Sequence, residues 1–124
     1  MANVNPVGWF DIHVSHFERA KKFYETVFNI KLIDLPIQWG KQAVFPFSHE
    51  SQNISGALVE KSDMKPGANN TVVYFETLDC VAEERRIEQA GGKVFQPKMH
   101  MGEFGYVSIF IDSEGNTVGL HSRK

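Results

Sequence analysis

The stretch "VGWFDIHVSHFERAKKFYETVFNIKL", Val7 to Leu32, decides the fold. It opens in alternation, with Phe10, Ile12 and Val14 on one face of an extended segment and Trp9, Asp11 and His13 on the other. Ser15 stands where a helix N-cap belongs. Phe17, Ala20, Phe23, Tyr24, Val27 and Phe28 then recur at helical spacing and form an amphipathic stripe. Glu18 and Lys22 add an i,i+4 pair on the wet face, and Asn29 suits a left-handed helix stop. Three strands are expected next, near Lys31–Leu35, Gln42–Phe47 and Ile54–Glu60. The polar segment "KSDMKPGANN", Lys61–Asn70, carries Pro66 and Gly67 and reads as a linker.

The second half repeats the plan. "TVVYFET" (Thr71–Thr77) reads as a strand, Asp79 as an N-cap, and Cys80–Ala90 as a helix closed by Gly91–Gly92. The stripe there is thin (Cys80, Ile87, Ala90), so the helix rests largely on its caps. "GKVFQ" follows as a strand, and "FGYVSIFID" and "NTVGLHS" pair through the Gly115 turn of "DSEGN". Strand, helix and three strands occur twice, an internal duplication of roughly sixty residues. Each half alone would leave one apolar sheet face bare. The expected class is α+β: two tandem βαβββ modules, at about 7–60 and 71–122 with a linker at 61–70, whose curved mixed sheets enclose a cavity.

Composition agrees with one compact domain over residues 1–124. Hydrophobic residues make up 42% of the chain, and ten Phe and two Trp suffice for a core. Thirteen basic and fifteen acidic residues give a formal charge of −2 without runs, which argues against a nucleic-acid partner. There is no charged-then-apolar leader and no apolar run near about eighteen residues, so neither a signal peptide nor a membrane partner is expected. Cys80, the single cysteine, cannot form an internal disulfide and fits a reducing cytoplasm.

Three segments, "HFERAKKFYETVFNIKL", "LDCVAEERRIEQAGGKV" and "FIDSEGNTVGL", give the chain a resemblance to the vicinal-oxygen-chelate superfamily. That superfamily includes glyoxalase I, extradiol dioxygenases, and bleomycin- and fosfomycin-resistance proteins. The resemblance spans about residues 7–122 and is nearest to the poorly characterised glyoxalase-like members; it is specific for fold and weak for reaction. It implies that metal-dependent members place one His, Gln or Glu on each of four strands, leaving ion positions open for two vicinal substrate oxygens. Carried onto this chain, those positions fall at Trp9, Val72, Gly119, and Gly56 or Ala57. None binds a divalent ion through its side chain. A one-residue shift does not help, because Gly8, Phe10, Thr71, Val73, Val118 and Leu120 are no better. No cofactor and no usual metal site are therefore expected.

If Trp9 faces the cavity, period two brings Asp11 and His13 there as well, Tyr74 and Glu76 beside Val72, and Thr117 and His121 beside Gly119. An aromatic wall with a few convergent polar groups is how small-molecule sites are built. Phe104 and Tyr106, in and beside the loop "MHMGEFGY", are placed at the rim. The ligand-binding set is thus Trp9, Asp11, His13, Tyr74, Glu76, Phe104, Tyr106, Gly119 and His121. Three readings stay open for its titratable members. Glu76 or Asp11 could be a general base with His13 or His121 as acid. The groups could instead hydrogen-bond one another, or bind a ligand without chemistry. An alternative metal site from His13, His121 and a carboxylate has the right ligand types.

Other residues weigh less. His49–Glu50 begins an HExxH-like run, but Asn53 stands where the second His is needed. His16 is read as a surface residue, His100 as a loop residue near the rim, and Cys80 as a packed core thiol despite its helix N-terminus. Trp39, in "PIQWGKQ", belongs at a hairpin end. No Arg cluster is present to take glutathione carboxylates, which argues against glyoxalase I activity. The function expected is binding of a small, flat or aromatic molecule, with a lyase, isomerase or dioxygenase-type enzyme as the alternative. A homodimer is expected from the open sheet edges and apolar rim.

Overall fold

The computed structural model describes residues 6–47 and 54–124. The first module comprises β1 (Trp9–His13), α1 (Phe17–Phe28), β2 (Ile33–Asp34), β3 (Lys41–Val44) and β4 (Ser55–Glu60). The second comprises β5 (Tyr74–Glu76), α2 (Cys80–Ile87), β6 (Lys93–His100), β7 (Tyr106–Ile111) and β8 (Thr117–Ser122). Each module forms a four-stranded mixed sheet, ordered β1-β4-β3-β2 and β5-β8-β7-β6. In each, the module's first and last strands pair in parallel and the rest pair antiparallel. The sheets are not closed into a barrel.

The alternation in β1 works as its sequence dictates. Ile12 and Val14 are buried and Phe10 packs beside them, while Trp9 and Asp11 stay exposed on the other face. Helix α1 covers the apolar face with Phe17, Ala20, Phe23, Tyr24 and Val27 buried. Cys80 and Ile87 of α2 and Phe110, Val118 and Leu120 of the second sheet join that same core, so the two modules share one apolar interior. Each large side chain fully buried there is worth about 1.5–3 kcal/mol.

The start of α1 departs from the sequence expectation. His16, not Ser15, holds the N-cap position, and no side chain of its own caps the helix. The cap comes from far along the chain. Glu114 Oε1 accepts from the Ser15 and His16 amides at 2.9 and 2.8 Å and from Ser15 Oγ at 3.0 Å. Arg19 Nε donates to its other oxygen at 2.7 Å, and Glu60 accepts from the Phe17 amide at 2.9 Å. Carboxylates suit this place because the first helical amides lack partners and the helix dipole is positive there. The ion pairs on the outer face run from Lys21, to Asp34 at 2.9 Å and Glu18 at 4.0 Å, rather than along Glu18–Lys22.

Other boundaries follow their caps. Asn29 ends α1 in the left-handed region at φ 55°, and the Asp79 side chain accepts from the Val81 amide at the start of α2. Helix α2 stops at Ile87 instead of Ala90, where Gly91, at φ 107°, and Gly92 turn the chain; Gly92 donates to the Ile87 carbonyl at 3.0 Å. Strand β6 runs on to His100 through Pro97 because it is an edge strand, where the missing amide costs no ladder bond.

Burial opposes ionisation of Glu114, but donation from Arg19, the His16 amide, Ser113 and the Ser15 amide outweighs it and holds the carboxyl at about 2. A depressed carboxyl contributes stability above its unfolded value and loses it as pH falls through the folded one. Glu114→Gln is expected to lower stability by about 2 kcal/mol near neutrality, in urea unfolding followed by circular dichroism. The deficit should shrink between about pH 5 and pH 2. A pH-independent deficit would mean that the charge of Glu114 is not what holds the helix start.

Candidate functional site

Strands β1 and β5 each have one paired edge, so their other edges border an opening between the modules. A cleft of about 830 Å³ lies there, within the range of small-molecule sites. It is floored by rings of the shared core: Phe75 lies 5.8 Å from Phe10, 4.8 Å from Phe28 and 5.1 Å from Phe45. Trp9 and Tyr74 line it too, 50% and 47% exposed. Among the described residues, Glu76 and Glu83 supply its acidic groups, and no Lys, Arg or His lines it.

Both half-exposed rings are held in place. Trp9 Nε1 donates to Asp11 Oδ1 at 3.1 Å, one pleat along the same strand face. Tyr74 lies opposite Gly119 in the parallel β5–β8 ladder, its ring across the glycine; a Cβ there would come within 2.3 Å of the ring. Gly56 gives the same clearance to Phe10, at 2.6 Å. Glycine is needed at both places because an aromatic ring occupies the volume a side chain would fill.

Glu76 pairs with His121 across the same ladder. His121 Nδ1 lies 2.7 Å from Glu76 Oε1 and Nε2 lies 2.5 Å from the Phe104 carbonyl oxygen. Both neighbours only accept hydrogen bonds, so the ring makes both as an imidazolium. The carbonyl of Phe104 and then the carboxylate of Glu76 raise its pKa above the usual histidine value. Neither nitrogen has a lone pair left for an ion or a substrate proton.

The remaining predicted residues go elsewhere. Asp11 and His13 line a second cavity, of about 370 Å³, with Thr117 and the 64–71 segment, so they do not join Glu76 and His121 in the aromatic cleft. Gly119 is buried beneath Tyr74, and Phe104 contributes its carbonyl while its ring is 69% exposed. Tyr106 lies opposite Ser122, one position out of phase with His121, so its ring turns to the helix-bearing face under Lys98 Nζ. His100 packs on Tyr106 at 5.1 Å, Cys80 is buried beside Ser122, and Trp39 is exposed in a 3-10 turn. His49 and Glu50 lie outside the described residues. A hollow of about 530 Å³ lies at the start of α1 with Glu60 in its lining, and the His16 and Phe17 amides there are taken by Glu114 and Glu60.

A family model described as the Glyoxalase/Bleomycin resistance protein/Dioxygenase superfamily matches residues 7–120. The chain belongs to this superfamily. It is 28% identical over 121 residues to CFP32, named as a glyoxylase, of Mycobacterium bovis and Mycobacterium tuberculosis. That match covers 91% of this chain and 44% of those proteins, so the chain spans less than half their length. TnmS3, an antibiotic binding protein from Streptomyces sp. CB03234, is 27% identical, superposes with a TM-score of 0.71 and is covered in full, as is this chain. A glyoxalase/bleomycin resistance protein from Albidiferax ferrireducens T118 shares the fold, with a TM-score of 0.74 at 17% identity over 96% of this chain and all of that one.

Among the described residues, no three His, Cys, Asp or Glu side chains gather. Sequence reasoning missed Phe28, Phe45, Phe75 and Glu83 as cleft residues. Period two assigns one face of a strand to a cavity, whereas this cleft opens between two strand edges. Residues of both parities therefore line it, as neighbours Trp9 with Phe10 and Tyr74 with Phe75 do. Among the described residues, no helix is long and apolar enough to cross a membrane.

A histidine whose folded pKa is raised contributes stability below its unfolded value and loses it as pH rises through the folded one. His121 is expected to titrate above about 6.5 in ring-proton NMR. His121→Gln should be less stable than the parent at pH 6 and approach it as pH rises through the raised folded value. A titration at or below the ordinary histidine value would remove the doubly bonded imidazolium.

Proposed function

We propose that this protein binds a small, flat, largely apolar molecule in the cleft between β1 and β5, without a divalent ion and without turning it over. The carrying observation is the pair of half-exposed rings, Trp9 and Tyr74, fixed over a floor of phenylalanines. Apolar surface left open to water at that size is favourable to cover, and flat aromatic faces are covered best by another flat face. The antibiotic-binding relative TnmS3 supports binding as the activity. The acid–base alternative is weakened because Glu76 is engaged by His121 and His121 has no free nitrogen. A buried, unpaired Cys80 accords with a reducing cytoplasm.

In Trp39→Phe protein, where Trp9 is the only indole, a planar nitroaromatic such as para-nitroanisole is expected to quench the fluorescence saturably. Trp9→Leu should weaken that ligand roughly three- to tenfold by calorimetry, the worth of one aromatic contact. Absence of saturable quenching across a panel of planar probes would defeat the reading.

We further propose a homodimer, supported by Ile33, Ile37 and Trp39, exposed near the β2–β3 turn. Sedimentation equilibrium should give twice the chain mass, and Trp39→Glu should halve it. A monomer at all concentrations tested would refute the dimer.

A further inference from the structure

We propose that the ligand extends beyond the aromatic cleft into the polar cavity beside it, and so carries an uncharged, hydroxyl-bearing arm on its flat body. The inference rests on the cleft being the ligand site. The two cavities share Phe10, Thr71 and Val73 in their walls, so a molecule in one reaches the other along the β1–β5 gap. They are also tied chemically: the Trp9 indole, in the aromatic cleft, is hydrogen-bonded to Asp11, which lines the polar one.

The polar cavity has a fixed outer wall. The Gly67 amide donates to Asn116 Oδ1 at 2.7 Å, and the Asn69 side chain bonds the Thr71 and Thr117 carbonyls and the Thr117 amide. Asn116 in turn donates to the His13 carbonyl at 2.9 Å. These groups are spent on one another. The His13 imidazole is different: it lines the cavity, yet its Nδ1 is buried and has no hydrogen-bond partner. Rotation of the ring about Cβ–Cγ presents a nitrogen to an entering group, and that nitrogen has already been taken out of water. Buried polar atoms are ordinarily satisfied, so an orphan on a side chain that lines a cavity marks where a ligand atom belongs.

The lining also states the ligand's chemistry. One Asp11 oxygen takes the Trp9 indole, which leaves the other as an acceptor; the Asn70 amide nitrogen is a donor while its oxygen accepts from Thr71. A hydroxyl both donates and accepts and so satisfies such a mixed set. Asp11 and Lys65 line the cavity with opposite charges, so the lining calls for no net charge in the arm.

The test compares two probes with the same aromatic body, para-nitrophenyl β-glucopyranoside and para-nitroanisole, by calorimetry on the full chain. The glucoside is expected to bind at least about tenfold tighter, and His13→Leu to bring it down to near the anisole's affinity. In the unsubstituted protein, labelled imidazole nitrogens of His13 should shift with the glucoside and not with the anisole, a readout that needs no variant to fold. Equal affinities, or a preference that His13→Leu leaves intact, would overturn the polar arm while leaving the aromatic cleft in place. Binding of neither probe would bring down both.

Discussion

One carboxylate ties the two halves of this molecule together. Glu114 sits in the turn between β7 and β8, yet it accepts hydrogen bonds from the first amides of α1, almost a hundred residues earlier in the chain. The turn around it is braced as firmly. Tyr24, buried in α1, donates to Asp112 at 2.6 Å, and Asp112 accepts from the Glu114 and Asn116 amides. Asn116 then reaches the His13 carbonyl and the Gly67 amide. Burial raises the pKa of both Asp112 and Tyr24, so the pair stays a hydrogen-bonded unit in the core. A hydrogen-bonded turn thus joins the second sheet to β1, to α1 and to the segment before it.

β1 and β5, each paired on one side within its own module, belong to separate sheets and leave their other edges free. The gap between the free edges opens onto core phenylalanines, which is why a cleft of this size can be floored by rings that also hold the helices in place. Trp9 and Tyr74 then stand at the opening, one pinned by an aspartate on its own strand and the other seated on a glycine of the next. The rings that floor the cleft belong to the same aromatic cluster that packs against the core.

Much of the fold was legible in the chain. The alternation around Ile12, the stripe from Phe17 to Val27, the Asn29 stop and the Asp79 cap are local signals, and local hydrogen bonds and burial honour them. Ser15 failed as an N-cap because the helix start is capped by distant carboxylates, which no local signature announces. The candidate site was legible in part. Parity correctly set Trp9 and Asp11 together, and Tyr74 with Glu76, since facing direction along a strand is a two-residue rule. Tyr106, placed at the rim from its loop alone, packs instead against the shared core and under Lys98, a contact between distant strands that no local pattern announces.

By itself the sequence determined the two βαβββ repeats and the apolar faces each must bury. These depend on residue type and on neighbours within a few positions. Only the tertiary structure decided that Asp11 and His13 part company with Glu76 and His121, and that both nitrogens of His121 are committed. It alone brought Phe28, Phe45 and Phe75 beneath one cleft. Such facts depend on how two sheets approach each other, and that approach is fixed by contacts between residues far apart in the chain.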